Sequence, residues 1–401
     1  MSIQVPAEHE RAPTVDRTVV DAPRQRSAVP RLVSWLGLLA LFLAVAEGTC
    51  RIEDWLRFRT PVLSPITSQA DLMVRDRDGI HGRPSARFQK WGMNALGTRG
   101  PEAMPHKPPG TVRIVTVGAS EAFGLYESPG KEFPRQLEDS LTRRLAGRQC
   151  AGGPMRVEVL NAALPGMSLP TIEQDVRNRV RRFEADAILL YPTPAQYLVD
   201  DPPEPARPDS SGGASGLSAR RALRPRIVDR ARNQVKELLP EAVKTWMRRR
   251  ETAAYVRDRP PGWRFTSVPS ERLAQYDHDL RALIGTIRAT GATPLVATHA
   301  NAFMRPGTAE PHLLAAWEKF YPRATGPVIV AFDSVARQVT LRAASDSSAP
   351  VVDLASSLST SAGAVFSDFS HFTDHGAALV AAALASALAS ADVAHSACGG
   401  R

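Results

Sequence analysis

Ser120, Asp368 and His371 are the residue types of a nucleophile, a base and the carboxylate that orients the base. Ser120 stands in Gly118-Ala119-Ser120-Glu121-Ala122-Phe123-Gly124, directly after the strand-like run Arg113-Ile114-Val115-Thr116-Val117. Asp368 and His371 lie three apart in Phe366-Ser367-Asp368-Phe369-Ser370-His371-Phe372, near the other end of the chain. A local turn brings a carboxylate to an imidazole at that spacing. A serine hydroxyl is a weak nucleophile until a base takes its proton, so this chemistry requires the two segments to meet. The reaction they would run together is attack on an ester carbonyl. Each motif alone is common. Gly118 and Ser120 fit many turns, and the Gly that an α/β-hydrolase elbow wants two residues after the serine is Ala122 here. Order and place are more specific: a strand and a serine-led helix come first, and the D-x-x-H pair followed by a helix comes last.

The elements between them form one repeating pattern. Strand-like runs are expected at Arg113–Val117, Val157–Ala163, Ala187–Tyr191, Thr293–Thr298 and Pro350–Leu354. Helical patterns fall at Phe133–Leu145, Pro170–Phe183, Arg272–Thr290, Leu313–Phe320, Val328–Ala343 and Gly376–Ala391. Strands separated by helices imply an α/β fold with a parallel sheet and right-handed crossovers. Ligands in such sheets bind beyond the strand C-terminal ends, where Ser120 follows the first strand and Asp368 and His371 follow the last. His299 and Asn301 follow the fourth strand at the same edge, as pocket residues or as structural loop polar groups.

The rest of the chain is organised around that domain. Residues 1–30 read as a polar, Pro-containing arm on the cytoplasmic side. Residues 31–50 hold the apolar run Leu32 to Ala46, read as an uncleaved transmembrane anchor rather than a signal peptide or a core helix. Arg51 to Arg59 reads as a short helix leaving the membrane, within an irregular lead-in over 51–110. The domain proper covers 111–395, with a basic helical insertion at 200–265. Between Asp201 and Pro260 there are 14 Lys/Arg against 8 Asp/Glu, much of the chain's formal charge of +9. No nucleic-acid motif accompanies them, and anionic lipid or polysaccharide fits such a face at least as well. In the insertion Val228, Ala231, Val235, Leu238, Leu239, Ala242 and Trp246 fall at helical spacing, with Pro240 kinking the helix or starting a second. That stripe either packs on the domain or forms a lid or membrane-surface helix. Cys50, Cys150 and Cys398 lack C-x-x-C spacing, so no metal or redox motif is read and free thiols are expected, a Cys150–Cys398 pair being the alternative.

From about Met93 to Ala391 the chain resembles the SGNH/GDSL hydrolases, in the form of membrane-anchored bacterial members. The first block is similar to Val117-Gly118-Ala119-Ser120-Glu121-Ala122-Phe123-Gly124, the second to Asn161-Ala162-Ala163-Leu164-Pro165-Gly166, and the last to Asp368-Phe369-Ser370-His371. The segment Asn94 to Glu102 is similar to one preceding the first block in such members. The resemblance implies a three-layer α/β/α sandwich of flavodoxin-like type, with Ser120 as nucleophile, His371 as base and Asp368 as its orienter. It implies the N–H groups of Ser120 and Gly166 as oxyanion donors. The family's third block usually supplies an Asn as a further donor, and here that place reads Leu190-Tyr191-Pro192-Thr193-Pro194-Ala195-Gln196-Tyr197, leaving Thr193 or Gln196 as candidates. The expected function is a membrane-anchored serine esterase without cofactor or metal. Its substrate would be a small acyl ester, with O-acetyl groups on an extracytoplasmic polysaccharide as one form. The alternatives are an O-acyltransferase of extracytoplasmic glycans and a non-catalytic assembly protein that keeps the fold.

Overall fold

The computed structural model describes residues 28–150, 153–201, 204, 225–304 and 310–390. The sheet has five strands: β1 (Thr111–Gly118), β2 (Arg156–Asn161), β3 (Ala187–Tyr191), β4 (Thr293–Ala297) and β5 (Val351–Val352). Their order across the sheet is β5-β4-β3-β1-β2, and every pairing is parallel. Every residue of β1 and β3 is buried. Strands covered on both faces tend to continuous apolar runs rather than alternating ones; β3 is such a run, while β1 interrupts its β-branched residues with Arg113 and Thr116.

Parallel strands need crossovers, and helices supply them. The one-turn helix α2 (Ser120–Phe123) and then α3 (Phe133–Arg144) follow β1, and α4 (Leu169–Asn178) follows β2. The stretch from β3 to β4 carries α5 (Arg226–Leu238), α6 (Glu241–Arg257) and α7 (Ser270–Ala289). Beyond β4 come α8 (Pro311–Phe320) and α9 (Gly326–Asp346), and after β5 come α10 (Leu354–Ser359) and α11 (Asp374–Ser390). Helix α3 packs on α11, while α4, α7 and α9 pack in series, giving the expected three-layer arrangement. The chain leaves β1 for β2 on one side and returns to β3 on the other. The crevice between the C-terminal ends of β1 and β3 is therefore the switch point where such sheets take ligands.

The chain divides into two compact units, residues 1–48 and 49–401. The N-terminal helix α1 (Ala28–Phe58) runs unbroken, so Arg51–Phe58 continues the apolar helix rather than forming a separate one. Its stretch Val33–Phe58 is long and apolar enough to cross a membrane. The polar arm expected before it lies, up to residue 27, outside the described residues.

Several local expectations are corrected. The lead-in is not wholly irregular: Met73–Asp76 pairs with Gly79–Gly82, and Arg87–Phe88 with Trp91–Gly92, as antiparallel hairpins. Pro240 starts a second helix, since α5 stops at Leu238 and α6 begins at Glu241. Helix α5 buries no residue, so its apolar stripe does not pack on the domain. The flexible linker expected around Ser210–Gly213 lies outside the described residues. Cys150 is disulfide-bonded, against the expectation of free thiols, while Cys50 is free. Cys398 lies outside the described residues.

Candidate active site

Strand β1 ends against β3 at a glycine because nothing larger fits. A Cβ on Gly118 would meet the Tyr191 carbonyl oxygen at 2.7 Å and the Ala122 Cβ at 2.9 Å. Two residues later Ser120 opens α2, so the serine stands at the C-terminal end of a central strand and the N-terminus of a helical turn. That turn is braced by the loop after β2. Asn161 Nδ2 donates to the Ala122 carbonyl at 3.0 Å, and its Oδ1 accepts from Ala163 N at 3.1 Å. The buried Arg99 guanidinium donates to the carbonyls of Phe123 and Gly124 and pairs with Glu132 at 3.3 Å.

The D-x-x-H segment folds into a closed loop. Ser367 N donates to the His371 carbonyl at 2.7 Å, and Phe366 bridges Phe372. Inside the loop Asp368 Oδ1 accepts from Ser370 N at 2.9 Å and His371 N at 2.8 Å. Both carboxylate oxygens lie within hydrogen-bond distance of His371 Nδ1, at 2.9 and 2.8 Å. This fixes the ring and leaves Nε2 as its working nitrogen. His371 Nε2 is buried and has no hydrogen-bond partner among the described residues. The Tyr126 ring packs edge-on to the imidazole at 5.0 Å. Burial pulls the His371 pKa down, but the Asp368 hydrogen bond and the Glu121, Asp368 and Glu127 charges outweigh it and hold it above the usual histidine value.

The two segments meet through Glu121 and Ser370. Ser370 Oγ donates to Glu121 Oε1 at 3.0 Å, placing the residues that follow Ser120 and precede His371 in direct contact. Ser120 Oγ itself donates to Glu121 Oε2 at 3.4 Å and makes no hydrogen bond to His371 Nε2. In unliganded sites such a bond is often long and tightens only with substrate.

Glu121 is the centre of a buried charge group that sequence reasoning missed. It is 3% exposed. Thr193 Oγ1 also donates to its Oε2, at 3.1 Å. His299, 2% exposed, lies with Nδ1 2.7 Å from Asp333 Oδ1 and Nε2 3.6 Å from Glu121 Oε1. These are charge contacts rather than hydrogen bonds. Burial raises the Glu121 pKa, but the His299 contact and the His371 and His299 charges outweigh it and bring it to about 2. Burial lowers the His299 pKa, but Asp333 and then Glu121 lift it to about 10. At neutral pH Glu121 is therefore a carboxylate and His299 an imidazolium. Asn301 completes the group, donating from Nδ2 to Asp333 Oδ2 at 2.7 Å. The sequence signal for Glu121 was a charged residue inside the apolar run Ala119-Ala122-Phe123, which only a buried partner makes tolerable. Asp333 and Ser370 gave no comparable signal.

The other expected residues fall as follows. Gly166 is exposed, with φ of +81°, the left-handed region that favours glycine. Neither its N–H nor that of Ser120 donates to a protein acceptor among the described residues. Thr193 reaches the site, but its hydroxyl hydrogen is engaged by Glu121. Gln196 sits half-buried in the 3₁₀ turn Pro194–Leu198 and shares no hydrogen bond with this group among the described residues. His299 and Asn301 are brought to the site as buried partners of Asp333, and both border a cavity of about 280 Å³. Glu127, one residue beyond Tyr126, is pushed up to about 7 by burial, against its backbone hydrogen bonds and the Arg99 and His371 charges.

Asp368 borders a cavity of about 340 Å³ together with Asn301, His312 and Phe366. A cavity of about 630 Å³ lies farther along the edge, lined by Leu198, Asp200, Tyr255, Trp263 and Phe320 among others. It contains none of the three residues above. Phe320 in its wall packs on Phe369, whose ring packs edge-on to His371.

No family model matches the chain, and no curated protein matches it. Solved structures with a similar fold include a lipase/acylhydrolase from Enterococcus faecalis, at 14% identity and a TM-score of 0.38, covering 70% of this chain and 96% of that one. An acetylxylan esterase from Geobacillus stearothermophilus matches at 10% identity and a TM-score of 0.38, covering 69% and 93%. An alpha/beta hydrolase enzyme from the metagenome of Lake Arreo matches at 13% and 0.39, covering 69% and 95%. At such identities and scores the chemistry of this chain is read from its own residues.

Proposed function

We propose that this chain is a membrane-anchored serine esterase of the SGNH type that hydrolyses a small acyl ester through an acyl-enzyme. The observation that carries the reading is the Asp368–His371 pair, with Nδ1 held by the carboxylate and Nε2 unengaged, joined through Ser370 and Glu121 to the serine at the sheet's switch point. As Ser120 Oγ bonds to the ester carbonyl carbon, its proton passes to His371 Nε2. Asp368 keeps Nδ1 protonated and stabilises the imidazolium. The tetrahedral oxyanion accepts from the N–H groups of Ser120 and Gly166, with the α2 N-terminus adding a favourable field. Collapse breaks the bond to the leaving alkoxide, which takes the proton from His371. Water then attacks the acyl-enzyme by the same route and frees Ser120. No step calls for a metal or cofactor.

The apolar helix α1 supports anchoring, and the Cys150 disulfide supports an oxidising compartment for the catalytic domain. An O-acetylated polysaccharide fits that location as substrate. The test is hydrolysis of a chromogenic acetyl ester by the full chain in detergent, with Ser120→Ala as control. Loss of turnover by on the order of 10³-fold or more is expected, and equal activity in the variant refutes the mechanism.

One observation favours a second reading, a non-catalytic protein that keeps the fold: Ser120 donates to Glu121 and not to His371. Covalent labelling of Ser120 by a fluorophosphonate separates the two, since an inert serine stays unlabelled.

A further inference from the structure

Helix α5 is amphipathic with its faces reversed relative to an ordinary surface helix. Its polar face holds the protein. Arg226 pairs with Asp54 at 2.7 Å, with both side chains largely buried, and Arg230 one turn on pairs with Asp54 and Glu53. Its apolar face points elsewhere: Val228, Val235 and Leu238 are 62%, 59% and 83% exposed. At 100° per residue those three fall within about 80° of one another, opposite Arg226 and Arg230. A helix packed on its own domain turns the apolar stripe inward, so this stripe is shaped for something outside the domain. Helix α6 continues the surface with exposed Val243, Trp246 and Met247, and the Arg250 guanidinium lies over the Trp246 ring.

We propose that α5 and α6 lie on the bilayer surface, with the α5 stripe entering the acyl–headgroup boundary of an anionic leaflet. Two features favour lipid over a protein partner. The acidic residues that clamp α5 sit in α1, seven and eight positions after Ala46, where the apolar run ends. Eight residues of chain reach at most about 28 Å whatever their conformation, which keeps α5 close to a membrane that the apolar run spans. Arg232 and Lys236 flank the stripe and, with Arg249, are exposed and form no ion pair among the described residues. Long cations beside an apolar stripe are the arrangement that snorkels to anionic headgroups. The inference rests on α1 as the anchor and not on the chemistry of Ser120.

The test uses the full chain in nanodiscs of phosphatidylcholine with phosphatidylglycerol. Cys50 is replaced by Ser, and single nitroxide labels are placed by Val235→Cys, Leu238→Cys, Asn233→Cys or Glu237→Cys. Labels at 235 and 238 are expected to be relaxed by oxygen more than by a water-soluble nickel chelate, and labels at 233 and 237 the reverse. Equal access of the chelate to all four positions overturns the proposal. So does shielding of 235 and 238 from both reagents, the result for a stripe covered by another protein or a second copy. A chain that washes free of the discs in alkaline carbonate overturns the anchor, and the inference with it.

Discussion

Replacing His299 by Gln removes the single cation from a buried group that otherwise holds two carboxylates. Glu121 drops from 4.5 to about 2 in the folded chain, with the His299 contact as the foremost lowering influence against burial. A shift of that size corresponds to roughly 3 kcal/mol at pH 7. His299 rises from 6.5 to about 10 through Asp333 and Glu121, against burial. The two shifts describe largely the same contacts, so they are not summed. Leaving two buried carboxylates without their cation costs about 3–5 kcal/mol. The pH dependence follows from the signs. The raised His299 stabilises the wild type fully below 6.5, and that contribution is lost as pH rises toward about 10. The depressed Glu121 stabilises it above 4.5, and that contribution is lost as pH falls toward about 2. In the variant burial acts on Glu121 without the His299 cation and favours its protonated form on folding, so stability grows as pH falls from 7 to 5. The stability gap between the two chains is therefore widest near neutral pH. It narrows on the acid side as the variant gains a proton, and on the alkaline side as the wild type loses one. Urea unfolding of the full chains in detergent, followed by tryptophan fluorescence at pH 5, 7 and 9, reads this directly. A gap below about 1 kcal/mol at pH 7, or one independent of pH, refutes the charge assignment.

Three further outcomes test the site. The raised His371 pKa places the acid limb of kcat/KM above the ordinary histidine value, and Glu121→Gln should move that limb down by roughly one pH unit; an unmoved limb means that Glu121 does not act on His371. Thr193→Val should lower kcat less than about tenfold, because that hydroxyl serves Glu121, whereas loss of a true oxyanion donor costs ~100- to 1000-fold. Gly166→Ala places a Cβ at φ of +81°, and the strain of about 1 kcal/mol or more should appear mainly as a fall in kcat with the chain still folded by circular dichroism.

The strand–helix order was readable because β3 is buried on both faces and consists of unbroken apolar residues, and because β1, despite Arg113 and Thr116, carries the β-branched residues Ile114, Val115 and Val117. Each strand expected from the sequence lies within two residues of its observed bounds. Asp368 and His371 were legible because their contact is local, closed within one turn. The hairpins of the lead-in were missed because strands of two to four residues carry too little periodicity to register. The Cys150 disulfide was not legible because cysteine spacing says nothing of geometry.

The sequence by itself determined the sheet, its helices, the serine at a strand end and the carboxylate–imidazole turn, since each depends on periodicity or on neighbours a few residues away. Only the tertiary structure decided what surrounds the serine. Glu121, Thr193, His299, Asp333 and Ser370 come from five separate segments, and the cost of burying a charge brings them together: an ionised Glu121 is stable there only with His299 beside it. Likewise the sequence displayed the α5 stripe, but which face of the helix is held by the protein was decided by Asp54 and Glu53, more than 170 residues away along the chain.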